Sequence, residues 1–80
     1  MNKEKLLHKI ISNQKNIKYN DFVNLIESFG FASKRQSGSH CIFKKDEQLI
    51  NIQNVNGEAK PYQIKQFLAI VEKNNLQMED

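Results

Sequence analysis

Between Gly30 and Pro61 the hydrophobic rhythm of this chain turns from helical to strand-like, and after Pro61 it turns back. Before the switch, Phe22, Leu25, Ile26 and Phe29 recur at i, i+3, i+4 and i+7, which places all four on one helix face. Asn20 and Asp21 are suitable N-caps for that helix, and Gly30 stands where a C′ residue is expected. After the switch, Ile64, Phe67, Leu68 and Val71 repeat the same stripe. Pro61 suits the first turn there, and Lys73 lies against the negative end of the helix dipole. Between the two stripes, Phe31 to Gln36 alternates loosely and His40 to Lys44 is rich in strand formers. Gln48 to Gln53 alternates Ile50 and Ile52 with Asn51 and Gln53. Ser37-Gly38-Ser39 and Asp46-Glu47 supply the turns of three antiparallel strands. Asn56-Gly57 is a further hairpin signal, but Ala59-Lys60-Pro61 leaves no room for a strand, so it is read as a loop.

The predicted class is α+β. Three strands cannot close a barrel, so the two apolar helices must cover one sheet face and leave the other to solvent or a partner. Upstream, Leu7, Ile10 and Ile11, with Leu6 beside them, predict a short amphipathic helix over Asn2 to Ser12. Polar Asn13 to Asn16 ends it. The chain thus divides into an N-terminal helical extension, residues 1–18, and a core over residues 19–80, within one compact domain. Eighty residues allow a single core that buries roughly 60% of the surface exposed in the unfolded chain.

Composition excludes several classes. No apolar run is long enough for a membrane-spanning helix, and the charged N-terminus lacks the apolar region of a secretory signal, so the expected location is the cytoplasm. A single cysteine, Cys41, forbids an internal disulfide, and no Cys/His spacing suits a metal; no cofactor is expected. Twelve Lys and Arg against nine Asp and Glu make the chain mildly basic. Glu72, Glu79 and Asp80 lie near the C-terminal end and leave the middle more positive than the mean.

The middle is where chemistry concentrates. Ser37-Gly38-Ser39-His40-Cys41-Ile42-Phe43 carries a histidine from a tight turn into an apolar strand, with Lys34-Arg35 before it and Lys44-Lys45 after. A titratable imidazole among fixed cations is what a protein needs to hold a phosphodiester and move a proton beside it. Lys34 and Arg35 are consecutive, so in a regular strand only one of them faces a given groove. The bland reading of His40 is a strand histidine hydrogen-bonded at a hairpin end. Gly38 is required by the turn in either case, and Ser39 bonds either a phosphate or its own turn.

The helix order, Gly38-Ser39-His40 at the start of the second strand, and the later run Asn51-Ile52-Gln53-Asn54, Gly57 and Lys60-Pro61-Tyr62-Gln63-Ile64 with Gln66 together resemble the HicA family of toxin–antitoxin proteins. The resemblance spans residues of about 20 to 76. It implies a double-stranded-RNA-binding-like α-β-β-β-α core, a toxin that cleaves messenger RNA, and neutralisation by a HicB-type antitoxin. The family's essential histidine falls on His40, with Gly38 and Ser39 matching its neighbours.

On that reading His40 is the general base of a metal-independent endoribonuclease. It takes the ribose 2′-hydroxyl proton as that oxygen attacks the adjacent phosphorus, a task suited to a group with an unperturbed pKa of about 6.5. Lys34, Arg35 and Lys44 are the candidate phosphate contacts, with Gly38 and Ser39, and disfavour a second positive charge on the ring. Membrane binding and DNA contact by this chain alone are not expected. The alternative is a non-catalytic RNA-binding module of the same fold, and a third reading is a protein-interaction domain whose basic face serves only an acidic antitoxin.

Overall fold

A computed structural model describes residues 2–79. Three helices, α1 (Lys3–Ser12), α2 (Tyr19–Ser28) and α3 (Pro61–Lys73), pack with four strands, β1 (Ala32–Ser37), β2 (His40–Lys45), β3 (Gln48–Val55) and β4 (Glu58–Ala59). The strands form one antiparallel sheet in the order β1-β2-β3-β4. The stretch from α2 to α3 fits the expected α-β-β-β-α arrangement, with one short strand added. No helix among the described residues is long and apolar enough to cross a membrane.

The fourth strand corrects the three-strand expectation. Asn56 (φ 53°) and Gly57 (φ 88°) both take positive φ, as a type I′ hairpin turn demands, and the chain returns for two residues before Pro61 ends the ladder. β4 is held from both sides. Asn54 and Val55 face Ala59 and Glu58, while Ala59 N–H donates to the Ile17 carbonyl (2.9 Å) and Lys18 bridges Glu58. Ile17 and Lys18, which follow the polar stretch after α1, therefore tie the N-terminal segment to the sheet.

The same stitching moves the start of α2. Its first N–H, on Tyr19, donates to the Gly57 carbonyl at 2.9 Å, so the helix begins at Tyr19 behind Lys18 with no side-chain cap. Asn20 and Asp21 lie inside the first turn, where Asp21 is favourable to the dipole. At the other end Gly30 follows the C-cap Phe29, as expected. Asn2 caps α1 by accepting from Lys5 N–H (2.8 Å), and α1 buries Leu6 and Ile10. Ile11, placed on the apolar stripe from sequence, is instead 59% exposed, because the helix turns it away from Leu6 and Ile10.

Both α2 and α3 cover one sheet face. The inward residues Cys41 and Phe43 of β2 and Ile50 and Ile52 of β3 meet Phe22, Leu25, Ile26, Ile64 and Phe67, and Leu6, Ile10 and Ile17 complete the same cluster. Phe67 stands at its centre. Its ring meets Phe22, Phe29 and Phe31 edge-on with centroids 5.7, 5.4 and 5.8 Å away.

One polar residue interrupts the apolar stripe of α3. Gln63 is buried, and its Oε1 accepts from Gln53 N–H of β3 at 2.8 Å. Gln53 is the last β3 residue paired with β2, opposite His40, and on its other side β4 stops at Ala59, opposite Asn54. Gln63 thus stands in for the missing strand, and an N–H left unpaired there would cost about 1–3 kcal/mol. Beyond α3, Leu76 and Met78 lie against the core, and Glu79 N–H donates to the Ser28 carbonyl (2.6 Å).

Candidate functional site

The sheet face opposite the helices is open, and the β1–β2 hairpin decides which side chains stand on it. Gly38 and Ser39 form a two-residue turn that sets Ser37 opposite His40. Gly38 has φ 60°, the positive value a type II′ turn needs at its first central position. A Cβ at Gly38 would meet nothing within 4 Å, so the glycine is required by conformation and not by crowding.

From that turn, alternation fixes the face. Cys41 and Phe43 point into the core, so His40, Ile42 and Lys44 stand outward. Arg35 pairs with Ile42 and Ser37 with His40, which brings Arg35 to the same side. A bulge between Ser33 and Arg35 leaves Lys34 without a cross-strand partner. It also turns Ser33 inward opposite Phe43, with Ser33 Oγ 3.3 Å from Cys41 Sγ.

Arg35, Ser37, His40, Ile42 and Asn51 line a shallow depression of about 160 Å³ on this face. His40 is exposed at its rim. Of the residues expected to hold RNA, Arg35 joins His40 here, while Lys34 at the bulge does not line the depression. Lys44 is exposed on the same face two residues beyond Ile42, opposite Leu49, outside the depression itself. Gly38 and Ser39 sit at the hairpin tip. There Ser39 Oγ accepts from Gln53 Nε2 (3.3 Å), and Asn54 N–H donates to the Ser39 carbonyl (3.0 Å). Ser39 therefore bonds neighbouring β3.

The fourth cation of the central run is engaged elsewhere. Lys45 Nζ donates to Glu79 Oε2, tying the C-terminal segment to β2. That hydrogen bond raises the Lys45 ammonium above its ordinary value; partial desolvation opposes it, and the charges of Glu79 and Asp46 add to it. Ser37 and Asn51 were not singled out from the sequence as site residues. The two-residue turn fixes Ser37 opposite His40, and the register of β3 places Asn51 opposite Ile42.

A family model described as the HicA toxin of bacterial toxin–antitoxin systems matches residues 19–72. The chain belongs to the HicA toxin family. No curated protein and no solved structure matches the chain. The HicA match begins at the first residue of α2 and ends one residue before the end of α3, so it takes in the whole open face and the hairpin that carries His40. As a HicA toxin it belongs to a toxin–antitoxin system, which implies an antitoxin partner and an RNA target. The chemistry of the depression suits a polyanion: one guanidinium, one imidazole, a hydroxyl and an amide, with no carboxylate among the lining residues.

Proposed function

We propose that this HicA toxin is an endoribonuclease that cleaves messenger RNA by internal transfer, with His40 as general base. The observation that carries the reading is the placement of an exposed imidazole beside Arg35 in a depression without carboxylates. An RNA strand laid over the open face puts a phosphodiester against Arg35. The His40 imidazole takes the 2′-hydroxyl proton, O2′ forms a bond to phosphorus, and the bond to the 5′-oxygen breaks. The leaving oxygen takes its proton from solvent, to which the depression is open.

The two groups divide the work. A positioned base contributes about 10²- to 10⁴-fold. Arg35 binds the two non-bridging oxygens and stabilises the charge that grows on them in the phosphorane, a contribution of about 10²- to 10³-fold in comparable sites. Ser39 and Gly38 hold the hairpin tip beside the strand, and Lys44 meets a phosphate further along the same face. Without carboxylates the lining offers poor ligands for a hard divalent cation, so cleavage proceeds without one.

The register of β1 against β2 yields a sharp expectation. Arg35→Gln lowers the cleavage rate by about 10²-fold or more, whereas Lys34→Gln changes it less than about threefold, because only Arg35 shares the depression with His40. Initial rates on a fluorogenic RNA measure both variants. Equal losses would place the phosphate elsewhere.

The antitoxin, a HicB-type protein in this reading, covers the His40 face. Such a partner buries Leu49, which is 58% exposed, together with Ile42, and sets carboxylates against Arg35 and Lys44. Adding the purified partner then suppresses cleavage, and undiminished cleavage in the complex would remove this part of the proposal.

A further inference from the structure

The charge of this chain is divided unevenly, and the division coincides with the edge of the HicA match. Residues 1–18, which precede the matched stretch, carry five lysines against the carboxylate of Glu4, a net of +4. Residues 19–80 carry seven Lys or Arg against eight Asp or Glu, a net of −1. The chain's whole positive excess therefore belongs to the N-terminal segment and not to the toxin core.

That segment is folded and displays its lysines. On α1 the buried Leu6 and Ile10 point into the core, which leaves Lys5 and Lys9, one turn apart, on an exposed stripe. Lys9 and Lys18 then share the wall of a depression of about 300 Å³ with Leu6, Asn16, Ile17 and Asp21. Asp21 lies on the α2 side of this hollow. Lys15 is also exposed on the connecting loop. Among the described residues the one salt bridge is Lys45–Glu79, so none of these lysines is held in an ion pair.

The sheet connects this surface to the His40 site. Lys18 bridges β4, β4 pairs with β3, and β3 with β2, where His40 stands opposite Gln53. Three strand spacings separate the Lys18 column from the His40 column, about 15 Å laterally. A few nucleotides of extended RNA cross that distance.

We propose that α1 and the Lys15–Lys18 segment form a second, sequence-independent binding surface for the phosphate backbone of the RNA that flanks the cleaved linkage. The inference rests on RNA being the substrate at His40. Lysines on free stems that release counterions suit a polyanion of any sequence. The surface adds affinity for long RNA and contributes nothing to a fragment that fills only the His40 depression.

The test uses the full chain carrying Lys5→Gln, Lys9→Gln and Lys18→Gln together, compared with the unsubstituted chain. All three positions are exposed, so the thermal melt is retained and serves as the folding control. RNA affinity is measured by fluorescence anisotropy across a salt series in a His40→Ala background, which prevents cleavage during the titration. For a single strand of about 20 nucleotides, the slope of log K against log salt falls by about 2, at roughly 0.7 per lost phosphate contact. For a tetranucleotide the affinity is unchanged, and its cleavage by the triple variant with His40 intact keeps its rate. An unchanged slope for the long strand overturns the proposal. So does a triple variant that binds long RNA normally but loses the antitoxin, since the lysines then serve an acidic protein. Gel electrophoresis of the strand after each titration shows whether it is still whole, so the failure of His40 as a base is detected separately from the slope.

Discussion

His40→Ala lowers the rate of RNA cleavage by about 10²- to 10⁴-fold and leaves the fold and the RNA affinity close to those of the unsubstituted chain. The expectation follows from where the ring stands. His40 is exposed at the first position of β2, and its partners across the sheet, Ser37 and Gln53, are matched through the backbone ladder, which alanine preserves. No hydrogen bond or ion pair of the His40 side chain supports the fold among the described residues, so its removal costs no more than the strand preference of one residue, under about 1 kcal/mol. RNA affinity comes mainly from the cations, which the substitution leaves in place. Cleavage and growth inhibition therefore fall while binding persists. A purely RNA-binding module would show neither loss, and a variant that cleaves at the normal rate would return His40 to the ordinary role of a hairpin residue.

Phe67→Ala has the largest effect on stability. Phe67 is completely buried and carries the edge-on contacts to Phe22, Phe29 and Phe31 that join α2, the start of β1 and α3. Truncating a buried phenylalanine costs about 3–5 kcal/mol through lost transfer energy and the cavity left behind. A domain of this size has only about 4–12 kcal/mol in total. Urea unfolding followed by circular dichroism shows the loss directly, and the melting temperature falls by more than about 10 °C. Phe67→Leu, which keeps most of the volume, loses well under half as much and gives a readable transition if the alanine variant does not fold. A loss below about 1 kcal/mol for the alanine variant would mean that the aromatic cluster is not the keystone of this core.

These two residues were legible in the sequence for different reasons. Phe67 lies on a complete i, i+3, i+4, i+7 stripe, and that period survives folding because α3 packs one face against the sheet. His40 stands out because a glycine turn and an apolar strand fix its place on a hairpin. β4 was not legible. Two residues are too short to show a period, and their second partner, Ile17-Lys18, lies about forty positions earlier in the chain. Its Asn56-Gly57 turn is visible in the sequence, but Pro61 stands too near for a strand to be expected after it. The start of α2 was misplaced for the same cause, since a backbone carbonyl on Gly57 does the work expected of Asn20 or Asp21.

Local pattern also failed wherever the outcome depended on a partner element. Leu6 and Ile11 are equally apolar, and only the docking of α1 decides that Leu6 is buried and Ile11 is not. Gln63 lies in a run that the resemblance had already marked, yet its service to Gln53 N–H depends on where β4 stops. The choice between Lys34 and Arg35 needed the register of the two-residue hairpin, which sets Arg35 opposite Ile42 on the His40 face. Lys45 looked equivalent to Lys44 until the C-terminal segment folded back to place Glu79 against it.

One measurement bears on all of this at once: the chemical ends of RNA cut by the purified chain in the presence of a chelator. Fragments should carry a 5′-hydroxyl and a 2′,3′-cyclic or 3′-phosphate, and a strand with a 2′-deoxy sugar at the cut linkage should stay whole. New 5′-phosphates, scission of the deoxy-substituted strand, or silence once divalent ions are removed would contradict a histidine-driven attack by the ribose hydroxyl.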